Sequence, residues 1–171
     1  MRVVSWNVNG LRAAIRKGID NYILELNPDV LMLQEVRAYP EQLPSAWREK
    51  LSLEGWSVIW HPAEKKGYSG VATLTKGEHI FLHTGINGAL DTEGRVLAIQ
   101  KDGWRFVNVY VPSGSSGEKR QEVKDTWINN FSSWTSKLVS ENVPTIIGGD
   151  LNIAHTERDI WNAKSNSNTS G

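Results

Sequence analysis

Short apolar runs bounded by turn residues recur along the chain, each with the length of a β-strand. Arg2 to Trp6 is the first. Val30 to Leu33 is continuously apolar, as a strand buried on both faces would be. Trp56 to Trp60, Gly70 to Thr75, Ile80 to His83 and Val96 to Gln100 follow. Trp104 to Tyr110 alternates, with Phe106, Asn108 and Tyr110 on one face and Val107 and Val109 on the other. Pro144 to Ile147 predicts a last short strand, ending at Gly148-Gly149.

Helical periods alternate with these runs. Asn9-Gly10 opens a helix over Leu11 to Lys17, and Ile19, Ile23, Leu24 and Leu26 mark a second one stopped by Asn27-Pro28. The longest pattern runs from about Glu118 to Glu141. There Val123, Trp127, Phe131, Trp134 and Leu138 recur at spacings of four, four, three and four, which predicts one core-facing side. The order predicts an α/β protein with a mixed sheet or pair of sheets. Antiparallel pairing is expected between Trp56 and Tyr110, where few helices intervene.

The 171 residues suit one domain. No repeat or internal linker divides them, and Ser165 to Gly171 reads as a loop or a frayed end. The absence of cysteine excludes a disulfide scaffold, an iron–sulfur cluster and a Cys-based zinc site. No apolar run has the length of a membrane span, and Val3 to Trp6 stops too soon for a signal peptide, so a cytoplasmic protein is expected. Nineteen Lys and Arg balance nineteen Asp and Glu, which argues against a bulk phosphate-coating protein. It does not argue against an enzyme that needs acidic groups for a metal and basic groups for phosphate.

Polar residues stand where the strands end. Asn7 and Asn9 follow the first run, Gln34-Glu35 the second, Tyr110 closes the alternating one, and Asp150 and Asn152 follow Gly148-Gly149. Ligands of open α/β sheets bind beyond the carboxyl ends of strands. Converging these side chains makes a pocket of hard oxygen donors, suited to Mg²⁺ or Mn²⁺ and not to zinc. Each residue has a plainer role: Asn7 as a helix cap, Glu35 as a surface partner of Arg37, Tyr110 as a core residue with a wet hydroxyl, Asp150 as a turn cap.

The segments Ser5 to Ala13, Leu33-Gln34-Glu35, Lys66 to Ala72, Gly94-Arg95, Asn108 to Pro112 and Gly148 to His155 resemble, in order, the motifs of the exonuclease III family of AP endonucleases. That family lies within the endonuclease/exonuclease/phosphatase superfamily. The resemblance implies a four-layer α/β sandwich of two packed mixed β-sheets flanked by helices. It also implies a metal-dependent phosphodiesterase of DNA base-excision repair, acting on duplex DNA at abasic sites or 3′ ends. By the same resemblance Glu35 is the main metal ligand, with Asn7 beside it. Asp150 aligns the attacking water, Asn152 holds the phosphate and Asp150, and Tyr110 contacts the scissile phosphate. DNA contacts are expected from Arg12, Arg37, Lys65, Lys66, Tyr68, Arg95, Lys119, Asn162, Lys164 and Asn166, with Asn9 and His155 in supporting positions.

The resemblance also implies a domain that continues beyond residue 171. Residues 1–171 are therefore expected to form its N-terminal part, truncated before an Asp–His pair whose imidazole polarises the phosphate, with one sheet left incomplete. Val36 and Ala163 stand where Thr and Pro are usual. Slow or absent cleavage is expected on this reading. The competing expectations are a non-catalytic DNA-binding module and a phosphatase or lipid phosphodiesterase. The Lys66 to Ala72 motif argues against the last.

Overall fold

The computed structural model describes residues 1–114 and 118–162. Its eight strands form two four-stranded sheets. In the first, β1 (Val3–Asn7) lies parallel to β2 (Val30–Gln34), which pairs antiparallel with β4 (Val71–Lys76), and β4 with β3 (Trp56–His61). In the second, β5 (Ile80–Thr84), β6 (Val96–Lys101) and β7 (Trp104–Tyr110) form an antiparallel meander, and β8 (Thr145–Asp150) lies parallel to β7. Each sheet thus carries one parallel pair and is mixed, as expected. The parallel pairs require helical crossovers. Helices α1 (Leu11–Arg16) and α2 (Ile19–Leu26) connect β1 to β2, and α4 (Glu118–Ser140) connects β7 to β8.

Period-two alternation builds the layers. On β2, Leu31 and Leu33 turn outward to Leu11, Ile19, Ile23, Trp47 and Leu51, while Val30 and Met32 turn inward to Ile99 and Phe106 of the second sheet. On the far side, Val96, Ala98, Val107 and Val109 meet Trp134 and Leu138 of α4. Helix, sheet, sheet and helix therefore stack as four layers. Each fully buried Leu, Val or Phe contributes roughly 1.5–3 kcal/mol. Among the described residues no helix is long and apolar enough to cross a membrane.

Three readings need correction. Helix α3 (Ser45–Leu53) is not predicted above, because its apolar signal is little more than Trp47 and Leu51, both buried. The α4 stripe does not continue through Val123, which is 47% exposed; Lys124, three residues before Trp127, turns inward instead and is 4% exposed. The last strand also runs further than predicted, through both glycines to Asp150. A Cβ on Gly149 would lie 1.8 Å from the Val109 carbonyl oxygen, and one on Gly148 would lie 2.5 Å from Met32 Cε of the facing sheet. At Gly149 the near atom is backbone, so only glycine lets β8 lie this close to β7 there.

One end of the sandwich gathers the chemistry. β1, β2, β7 and β8 run so that Asn7 pairs with Gln34 and Tyr110 with Asp150, all at carboxyl ends. β1 and β8 also touch across the gap between the sheets. A buried polar link fixes how the two sheets sit. Gln34 Nε2 donates to Asn108 Oδ1 at 2.8 Å, and Asn108 Nδ2 donates to the Ala72 carbonyl at 2.9 Å.

Candidate active site

Asn7, Glu35, Tyr110, Asp150 and Asn152 meet at that end. The Asn7 amide is oriented by the backbone N–H of Asn9, which donates to Asn7 Oδ1 at 3.0 Å. Its Nδ2 therefore points inward and donates to both Glu35 Oε1 at 2.8 Å and Asp150 Oδ2 at 2.7 Å. One amide thus joins a carboxylate from each sheet. This excludes the helix-cap role, since α1 has no side-chain cap. Asp150 is also not a simple turn cap. Its Oδ1 accepts from the Asn152 N–H at 2.9 Å while Oδ2 serves Asn7. Asn152 Nδ2 donates to the Val111 carbonyl at 2.8 Å, which ties the turn after β8 to the end of β7.

The backbone presents these groups in uncommon conformations. Asn9, Glu35, Arg37, Ser69 and Asn152 all have positive φ, between 45° and 52°. For residues other than glycine this costs free energy, and such residues cluster at functional sites. The surroundings hold Glu35 in place: the Gly10 N–H donates to its carbonyl at 2.7 Å. Val36 and Arg37 N–H groups donate to the Gly70 and Ser69 carbonyls.

Electrostatics sorts the ionisable groups. Burial works to raise the Glu35 carboxyl pKa, but hydrogen bonds from Asn7 and Tyr110 and the charge of Arg37 outweigh it, leaving the group below the usual carboxylate range. Arg37 also pairs directly with Glu35 Oε2, so the plainer partnership expected from sequence coexists with the site. The Tyr110 hydroxyl is pushed up to about 12, first by burial and then by the hydrogen bond and charge of Glu35. It stays protonated and acts as a donor.

The expected DNA-contacting residues divide. Arg12, Lys65, Lys66 and Lys119 are exposed, on loops and helix starts at the same end as the carboxylates, and Lys65 lies over the Tyr68 ring. Arg95 departs from expectation. It is 2% exposed, and its guanidinium donates to Glu93, the Tyr110 carbonyl and the Tyr68 hydroxyl. Fully engaged in this way, it braces Tyr68 and Tyr110 rather than offering charge to a ligand. Tyr68 itself is held by Arg95, Arg120 and Glu93. His155 and Asn162 are exposed in the segment after β8. Lys164 and Asn166 lie outside the described residues.

Residues that the sequence did not single out complete the site. Arg120 pairs with Glu93, His61 pairs with Asp91 at 3.0 Å, and Lys124 Nζ donates to the Asn152 carbonyl at 2.7 Å. The one available signal was position: Arg120, Lys124 and Trp127 continue the inward stripe of α4 toward the site.

The donor set was tested against a divalent ion. Among the described residues, no group of three or more His, Cys, Asp or Glu could hold one. Two carboxylates beside one amide do fit Mg²⁺ or Mn²⁺, which keep several waters and bind through one or two carboxylates and substrate phosphate. Zinc sites are usually built on imidazole or thiolate, and this set offers neither.

Known proteins share both sequence and shape with the chain. It is 36% identical over its whole length to the exodeoxyribonuclease of Bacillus subtilis (strain 168) and to the DNA-(apurinic or apyrimidinic site) endonuclease of Dictyostelium discoideum. It spans 66% of the first and 47% of the second. A solved 3′-5′ exonuclease from Neisseria meningitidis matches 97% of the chain with a TM-score of 0.83 at 26% identity, and 63% of that structure is covered. The family described as endonuclease/exonuclease/phosphatase matches residues 4–170, and the chain belongs to that family.

Proposed function

We propose that this chain carries the carboxylate and phosphate-binding machinery of a DNA-repair nuclease. Its reaction is hydrolysis of a phosphodiester at an abasic site or a 3′ end of duplex DNA, with Mg²⁺ as the cofactor and Mn²⁺ as a substitute. The observation that carries this reading is the Asn7 amide bridging Glu35 and Asp150 from opposite sheets. The likeness to an exodeoxyribonuclease and an AP endonuclease supports it.

Glu35, ionised and half-buried, is the principal holder of the ion, with Asp150 and Asn7 at its side. The ion supplies positive charge to a bound phosphate. Asp150 has two oxygens fixed by Asn7 and Asn152, so its remaining lone pairs point in a set direction. A carboxylate fixed in this way can hold a water on the line of attack and take its proton. The Tyr110 hydroxyl, which donates to Glu35 in the free chain, would turn its proton to a phosphate oxygen when substrate binds, and Asn152 keeps Asp150 aligned. Arg37, Lys65 and Lys66 flank the phosphate backbone.

Among the described residues no imidazole hydrogen-bonds Glu35, Asp150 or Asn152: His61 is bonded to Asp91, His79 to the Gly77 carbonyl and His83 to the Gly85 carbonyl. The test uses a duplex with one tetrahydrofuran abasic analogue and a duplex with a 3′-phosphate. Product formation in Mg²⁺, none in EDTA and none for Asp150→Asn is the expected result. Binding without any incision supports a DNA-binding module and overturns the nuclease reading.

A further inference from the structure

The inward face of α4 runs Leu138, Trp134, Phe131, Trp127 and then Lys124, at spacings of four, three, four and three. Lys124 sits where the pattern calls for an apolar residue. It is 4% exposed, and no carboxylate among the described residues lies within ion-pair distance of it. Burial pulls its ammonium below the ordinary lysine range. A buried, unpaired ammonium is costly, and leucine or methionine would fill the place without that cost.

Its one hydrogen bond explains where it points. Nζ donates to the backbone carbonyl of Asn152 at 2.7 Å. Asn152 has a φ of 48°, in the left-handed region, so its turn needs outside support. The Asn152 N–H donates to Asp150 Oδ1, and its side chain donates to the Val111 carbonyl. Val111 N–H in turn donates to the Asp150 carbonyl at 2.9 Å. The turn is therefore gripped by β7 on one side and by α4, through Lys124, on the other.

We propose that Lys124 is a positioning residue for the reaction: by holding the Asn152 carbonyl it fixes the turn that aims the Asp150 carboxylate. This rests on the reading of Asp150 as the group that holds the attacking water. A rotation of that turn would break the Asn152 N–H bond to Oδ1 and swing the carboxylate away from Asn7.

The test compares the 171-residue chain with Lys124→Met, which keeps the apolar stem and deletes the ammonium, and with Lys124→Arg, which returns a cationic donor. Amide hydrogen exchange is followed residue by residue. In Lys124→Met the Asn152 amide is expected to exchange about tenfold faster or more, with Phe106 and Val107 in β7 unchanged. Lys124→Arg is expected to return most of that protection. On the abasic-analogue duplex in Mg²⁺, Lys124→Met lowers kcat by about tenfold with KM unchanged, and Lys124→Arg recovers part of it. Unchanged Asn152 protection in Lys124→Met overturns the proposal. So does a uniform loss of protection through β7, and so does a chain that folds with neither Met nor Gln at position 124, since either makes Lys124 a requirement of the fold. If the unsubstituted chain makes no incision, the nuclease reading fails and the exchange comparison alone decides the role of Lys124.

Discussion

A carboxylate that already accepts from an amide, a phenol and a guanidinium has little freedom left, and Glu35 is such a group. The three donors that hold it also keep it ionised, which on the proposed reading is what lets it hold a cation at neutral pH. Glu35→Ala is therefore expected to abolish Mg²⁺ or Mn²⁺ binding in titration calorimetry; unchanged affinity would remove Glu35 from its assigned role. Tyr110→Phe tests the donor side. Loss of the phenol hydrogen bond should raise the Glu35 carboxyl pKa, read by carbon-13 NMR of its carboxyl carbon. A fall would mean that Tyr110 does not donate to it. The polar residues at strand ends were legible because an apolar run followed by Asn, Glu or Asp is conspicuous in sequence. Arg95 was expected among the DNA-contacting residues, but only the folded chain brings Glu93, Tyr68 and the Tyr110 carbonyl around it.

At the scale of elements, the strands were legible almost throughout, since period two and continuous burial are local properties. Helix α4 was legible as a helix, with its inward face correct from Trp127 to Leu138 and wrong only at its first position. Val123 satisfied the hydrophobic pattern, and Lys124 did not, because its place is set by a carbonyl 28 residues away. The end of β8 depends on close packing that sequence does not show. Gly149→Ala puts a Cβ into the Val109 carbonyl and should destabilise the chain by about 3 kcal/mol or more in urea unfolding; a cost below half that would mean β8 can move away. The link between β3 and the start of β6 is a hydrogen-bonded carboxylate, Asp91, which meets His61 and the Arg95 and Val96 N–H groups. Burial raises the Asp91 carboxyl pKa, but the His61 hydrogen bond and the N–H groups of Arg95 and Val96 outweigh it, so the net shift is downward. A carboxyl depressed by folding adds stability above its unfolded pKa and loses it as pH falls through its folded pKa. Asp91→Ala should then cost about 1–3 kcal/mol at pH 6 and progressively less below pH ~4. A cost that stays constant down to pH 2 would show that packing, not charge, is what Asp91 contributes.

Over the whole molecule, equal numbers of acidic and basic residues leave no net field to draw in a polyanion. On the proposed nuclease reading, attraction to DNA comes from the way charge is placed. The loops beyond β1, β2, β3 and β7 all open at the site end, and they carry Arg12, Arg37, Lys65, Lys66 and Lys119. Lys137, near the other end of α4, is on the opposite side. If four of the five cations neutralise phosphates, duplex affinity should fall with salt at a log–log slope of about −4. Fluorescence anisotropy with a labelled duplex between roughly 50 and 200 mM salt measures it. Lys66→Ala should make the slope shallower by about one and weaken binding equally on all sequences, whereas Lys137→Ala should change neither. The contrast between the two variants is what decides the matter, because each removes one positive charge from a neutral protein. Equal effects would mean that DNA responds to total charge, and the end of the sandwich that holds Glu35 and Asp150 would lose its claim to be the DNA-facing surface.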